Sequence, residues 1–222
     1  MEKSKSNRHF ASTIGGVFFF LSAIVQVIAL FGPPLAGDLE FLDWVLERPG
    51  YTLFFTFTVL AATLFNVPAL LGISHRVSSG RGKWLAYLGS TIALIGNFFF
   101  IILVTEALTY RGMATLEREP MTALMQWTYD TPIYLVPHLL YILLFFIGMI
   151  LLTIGLYRTG AASFWLIVAA VAQLIAGFLD FGAAQEYVQG ILILALFGGI
   201  GWVLIKKPQE QNASLDAANQ NS

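Results

Sequence analysis

Apolar residues in this chain fall in long unbroken runs, not in the alternation of a strand or the one-sided stripe of a surface helix. Crossing the roughly 30 Å hydrocarbon core of a bilayer takes about 20 residues at 1.5 Å each. Six runs qualify, over 10–31, 51–73, 84–108, 133–157, 164–181 and 188–205. They predict an all-α integral membrane bundle of six transmembrane helices, forming one domain over 1–207. Lys3, Lys5 and Arg8 precede the first run, as in a signal peptide. Its length exceeds the signal core of about 7–15 residues and no small-residue cleavage site follows, so it reads as a permanent span. The last stretch, 208–222, is rich in Gln, Asn and Ala without periodicity and predicts a disordered cytoplasmic tail.

Between the runs the pattern changes. After Asp38, a natural N-cap, Leu39, Leu42 and Leu46 recur at helical spacing beside Phe41 and Val45, with Pro49-Gly50 as a stop. From Pro120, Met121, Leu124, Met125 and Trp127 cluster near one face. Both segments predict short amphipathic helices in the exterior loops, anchored in the interface or closing over an outward-facing pocket. The opposite connections are tight: 78–83 is a turn with basic anchors, and Arg158-Thr159-Gly160 links two helices.

Charge sets the orientation. Lys3, Lys5, Arg8, Arg76, Arg81, Lys83, Arg158, Lys206 and Lys207 lie on one side, against Arg48, Arg111 and Arg118 on the other. Positive loops stay in the cytoplasm, so both termini are expected there, in agreement with an even number of spans. Composition closes off the other classes. At 57% hydrophobic and 11% charged the chain is neither a soluble domain nor disordered. A net charge of −1 offers nothing to nucleic acid. The absence of cysteine removes disulfides, thiolate metal sites and a cysteine nucleophile. Of the expected partners, the lipid bilayer is the certain one, and a homo-oligomer stays open.

Polar side chains at bilayer depth are costly and usually face the bundle interior. Gly15, Phe19, Ser22 and Gln26 share a face of the first span. Asn66, with Ala62 and Thr63, lies in the second, ahead of Pro68. Asn97 and Glu106 lie on opposite faces of the third. The fourth carries a continuous stripe of Tyr134, His138, Tyr141, Phe145 and Gly148, with Pro137 beside the histidine. Gln173 and Asp180 stand seven residues apart in the fifth, and Gln189 begins the sixth. Depth would bring Glu106, His138 and Asp180 together near the outer surface. The candidate ligand-binding set is therefore Glu106, His138, Asp180, Tyr134, Tyr141 and Gln173.

Two carboxylates and an imidazole are the parts of a proton relay, a cation site or an acid–base pair. The plain alternative is that Gln26, Asn66, Asn97 and Gln173 are interhelical hydrogen-bond glue, and that Glu106 and Asp180 are solvated at helix ends. The Gly89/Gly96 and Gly148/Gly155 pairs read as close-packing seams. No metal and no cofactor are expected: the ligand spacing of a metalloenzyme is missing, as are paired buried histidines for haem and a phosphate loop. No Lys or Arg lies inside a span, which argues against a voltage sensor or a Schiff base. A three-plus-three inverted repeat finds no match in the sequence.

The stretch Gly148-Met149-Ile150-Leu151-Leu152-Thr153-Ile154-Gly155-Leu156-Tyr157-Arg158-Thr159-Gly160 resembles a feature of small uncharacterised bacterial multi-spanning membrane proteins, domains of unknown function. In them an apolar helix ends in a Leu-x-Arg-x-Gly-like link. The resemblance covers roughly the last third of the chain and implies a bacterial inner-membrane location. Three functions remain in view. The leading one is a non-enzymatic protein that binds or transports a small ligand or ion through an outward-facing pocket. The others are a membrane-embedded enzyme using acid–base chemistry on a lipid-soluble substrate, and a structural or regulatory protein without ligand.

Overall fold

The computed structural model describes residues 2–31, 39–77 and 80–206, and among these the chain is helical with no strand. The helices are α1 (Glu2–Leu30), α2 (Leu39–Glu47), α3 (Pro49–Arg76), α4 (Lys83–Met113), α5 (Arg118–Asp130), α6 (Pro132–Arg158), α7 (Trp165–Ala176), α8 (Gln185–Ile193) and α9 (Gly199–Ile205). A π turn, Leu194–Gly198, joins α8 to α9 without a break. Five stretches are long and apolar enough to cross a membrane: His9–Leu30, Pro49–Arg76, Lys83–Ile102, Leu135–Arg158 and Gly182–Ile205. Their outer faces carry exposed Phe10, Phe54, Phe57, Leu71, Leu143 and Ile191, as a lipid-facing surface requires. Trp84, Trp165 and Trp202 stand exposed toward one end of the bundle and Trp127 and Tyr187 toward the other, the placing of interfacial anchors.

The run expected to span 164–181 differs. Its helix, α7, has only 12 residues, Trp165–Ala176. Gly177 caps it, with its N–H on the carbonyls of Gln173 and Leu174. The chain then turns through Phe181 to Gly182, which takes φ +55°, a left-handed value that suits glycine. Gln185 holds this turn to the helix end, donating to the Ala176 carbonyl (3.3 Å) and accepting from Phe181 N–H (3.0 Å). A second difference is at Pro49. Pro49-Gly50 opens α3, because proline's missing N–H costs nothing at a first helical position. Pro68 and Pro137 sit inside α3 and α6, and both helices run on through them.

Lipid tails are as apolar as leucine, so the helices are held by close packing and not by escape from water. The closest packing is between α4 and α6. Gly82, Ala86, Gly89, Ala93 and Gly96 face Thr159, Gly155, Leu152, Gly148 and Phe145 in antiparallel order, and a Cβ on any of the glycines of this row would overlap the facing backbone. Steps of four and three alternate along the row, which is the 3.5-residue period of a left-handed supercoil. Adjacent glycines of α1 serve two partners. A Cβ on Gly15 would stand 2.7 Å from the Gly72 Cα of α3, and one on Gly16 would stand 2.6 Å from the Gly201 carbonyl of α9. The face predicted for α1, from Gly15 to Gln26, is thus a contact face.

The two short connecting helices share a separate small core, in which Leu42 and Val45 of α2 meet Met125 of α5 and Tyr110 and Met113 of α4. Arg118 pairs with Asp43 at 2.8 Å across α2 and α5. Asp38 and the tail 208–222 lie outside the described residues.

Candidate functional site

At its Gly96/Phe145 end the glycine seam gives way to bulk. The next facing pair is Phe100 and Tyr141, with ring centroids 4.5 Å apart. Tyr141 in turn meets Phe145 at 5.6 Å, and Phe145 stacks on Phe197 of the π turn at 6.2 Å. Rings in place of glycines hold α4 and α6 apart, and a cavity of about 230 Å³ lies beside them. It occupies the half of the bundle where α1 and α7 end and α6 and α8 begin.

Five long helical stretches and α7 all contribute to its lining. The lining includes the rings of Phe100, Tyr141, Phe145, Phe146 and Phe197. Its polar side chains are Gln26, Thr63, Asn66, Asn97, Gln173, Gln189 and the Tyr141 hydroxyl. The lining contains no carboxylate, imidazole, ammonium or guanidinium.

The amides form a directed chain. Asn97 Nδ2 donates to the Thr63 carbonyl (3.0 Å), Asn66 Nδ2 to Asn97 Oδ1 (2.9 Å), Ser22 Oγ to Asn66 Oδ1 (2.6 Å) and Gln26 Nε2 to Ser22 Oγ (2.8 Å). A backbone carbonyl only accepts. It therefore fixes the orientation of Asn97, then of Asn66, then of Ser22, across α4, α3 and α1. Gln26 must end the chain with its carbonyl, Oε1. Gln173, also in the lining, is 7% exposed, and its Oε1 is buried with no hydrogen-bond partner. A buried amide oxygen without a donor costs about 1–3 kcal/mol.

The residues singled out from sequence divide between this site and the rest of the molecule. Tyr141 and Gln173 line the cavity together. His138 is half-buried on α6, is engaged within the fold and is not part of the lining. Asp180 is exposed beyond the end of α7, where its Oδ1 accepts from Gly182 N–H at 2.7 Å. The seven-residue spacing aligns Asp180 with Gln173 only on an unbroken helix, and the helix stops between them. Glu106 lies on α4 past the apolar stretch Lys83–Ile102, and Tyr134 lies in the first turn of α6; both side chains fall outside the described residues. Among the described residues, no three His, Asp or Glu side chains gather.

Sequence reasoning passed over Phe100, Phe146 and Phe197, and named Gln189 without placing it in a site. Asn97 to Phe100 is one helical turn, and Gln189, Ile193 and Phe197 recur at i, i+4 and i+8, so the signal was present as spacing alone. A second hollow, of about 540 Å³, lies under α2. Its one charged group, Arg111, is spent on the Pro49 carbonyl.

Fold and cavity together have the build of a multi-pass helical membrane protein with an uncharged internal site. No protein-family model, curated protein or solved structure matches the chain.

Proposed function

We propose that this chain is a six-span bacterial inner-membrane protein that binds a small uncharged molecule in its central cavity. In this reading α7 and its following turn form the fifth span, both termini are cytoplasmic, and α2 and α5 lie along the outer interface. The Lys and Arg bias supports the orientation, and the buried apolar side chains of α2 and α5 support the interfacial placing. The observation that carries the reading is the cavity lining, which combines aromatic rings with the uncharged amides of Gln26, Asn66, Asn97, Gln173 and Gln189. A neutral ligand fits this lining, since moving a charge to bilayer depth costs several kcal/mol without a counter-charge. An acid–base enzyme finds less support here, because the lining holds no carboxylate or imidazole.

Native mass spectrometry of protein released from mild detergent tests the reading. The expected result is a small extra mass on the wild type that is lost in Gln173→Leu. A bare wild-type mass under conditions that keep lipid adducts on the protein would overturn it.

A further inference from the structure

We infer that the Lys- and Arg-rich end of the bundle holds the phosphate of an acidic phospholipid, bound by Arg76 and Lys83 where α3 turns into α4. Arg76 stands in the last turn of α3 and is half-buried. Its Nε is buried with no hydrogen-bond partner, and among the described residues no carboxylate pairs with it. Taking a guanidinium out of water without a counter-charge is costly. The charge is spread over all three nitrogens, so an anion at the two terminal ones offsets the burial of Nε. Only Nε is sealed off in this way, which leaves the terminal pair to meet a ligand.

A second observation brings Lys83 to the same place. The Tyr87 hydroxyl lies 2.6 Å from the Val77 carbonyl and 3.1 Å from the Ser74 carbonyl, so α4 is tied to α3 on both sides of Arg76. Lys83 Nζ sits 5.4 Å from the centre of the same Tyr87 ring. Arg158 starts close by, since a Cβ on Gly82 would stand 2.7 Å from the Arg158 Cβ. No Asp or Glu occurs within 71–90, 150–170 or 199–206 to neutralise these cations. Trp84 follows Lys83 and Tyr157 precedes Arg158, both exposed, which sets the cluster at the level of lipid headgroups. Basic pockets between helices at that level take anionic headgroups. A phosphodiester brings both the charge and the paired oxygens that fit a guanidinium fork.

Native mass spectrometry of the full chain in mild detergent tests this, with equimolar phosphatidylglycerol and phosphatidylethanolamine of the same acyl chains. The wild type should retain the acidic lipid at least about tenfold better, and Arg76→Gln should bring the two within about twofold. Lys83→Gln gives the same reading should that variant fold poorly. Arg81→Gln removes the same charge from the neighbouring exposed turn, and the preference should survive it. Equal retention of the two lipids on the wild type overturns the inference. So does a preference that Arg76→Gln and Lys83→Gln leave intact. Equal losses in Arg76→Gln and Arg81→Gln would mark a diffuse attraction to the positive face and overturn it too. Phosphatidylglycerol should also raise the unfolding temperature of the wild type, while inorganic phosphate should not. Stabilisation by phosphate alone would give the site to a free anion and overturn the lipid.

Discussion

Ser22 has one proton, and both oxygens near it, Asn66 Oδ1 and the Ala62 carbonyl, are acceptors. It can therefore only accept from Gln26, and the direction of the whole chain does not depend on which acceptor it chooses. Removing Asn97 leaves Asn66 Nδ2 without its acceptor inside the bundle. Hydrogen bonds between membrane helices average about 0.6 and reach about 1.7 kcal/mol. Asn97→Leu is expected above the average, at about 1–2 kcal/mol, visible as a lowered unfolding temperature in detergent. Gln173→Leu should be neutral or stabilising by the same measure, because its carbonyl bonds nothing in the protein. At this scale the sequence was legible in type and not in partner. Polar residues at depth are conspicuous, and Asn66 and Asn97 are indeed glue. Which amide keeps a free oxygen depends on contacts across α1, α3 and α4, and no spacing within one helix encodes that.

The α4–α6 row explains why its glycines tolerate nothing else. Gly155→Leu should abolish the folded monomer, judged by loss of a symmetric peak in size-exclusion chromatography. Gly112→Ala, near the end of the same α4 and with open space around its Cβ, should be neutral or gain up to about 1 kcal/mol of helix propensity. The seven-residue glycine pairs announced this seam in the sequence, because small residues at a 3.5 period have few other uses in a membrane helix. The end of α7 was not legible. Phe178, Leu179 and Phe181 prolong the apolar run past Gly177, and hydropathy cannot register the turn that Gln185 secures from eight residues downstream. Gln185→Ala should speed amide hydrogen exchange over 177–184 while leaving the α4–α6 row protected.

Over the whole molecule, a chain without cysteine is suited to labelling from a chosen side. With Thr115→Cys in the α4–α5 turn and Ser163→Cys before α7, an impermeant maleimide on intact cells should label the first and spare the second. The reverse would invert the proposed topology. Because the cavity lining contains no carboxylate, imidazole or amine, binding of a neutral probe should hold constant from about pH 5 to about pH 9. A change across that window would overturn the neutral lining as the binding site. The bundle itself was readable from apolar length alone, whereas the cavity was not, since it arises where the glycine row of α4 and α6 gives way to rings of the same two helices and to Phe197 of the π turn. One consequence concerns the short α7. Twelve helical residues cover about 18 Å against a hydrocarbon thickness of about 30 Å, and the turn beyond displays Phe178, 71% exposed. If α7 is the fifth span, as proposed, hydrophobic mismatch on that flank would oblige neighbouring lipids to compress or to close over the turn. Acyl-chain length in the host bilayer would then set how far α7 is strained, and reconstitution in progressively thicker bilayers should speed amide hydrogen exchange over 177–184 more than in the α4–α6 row.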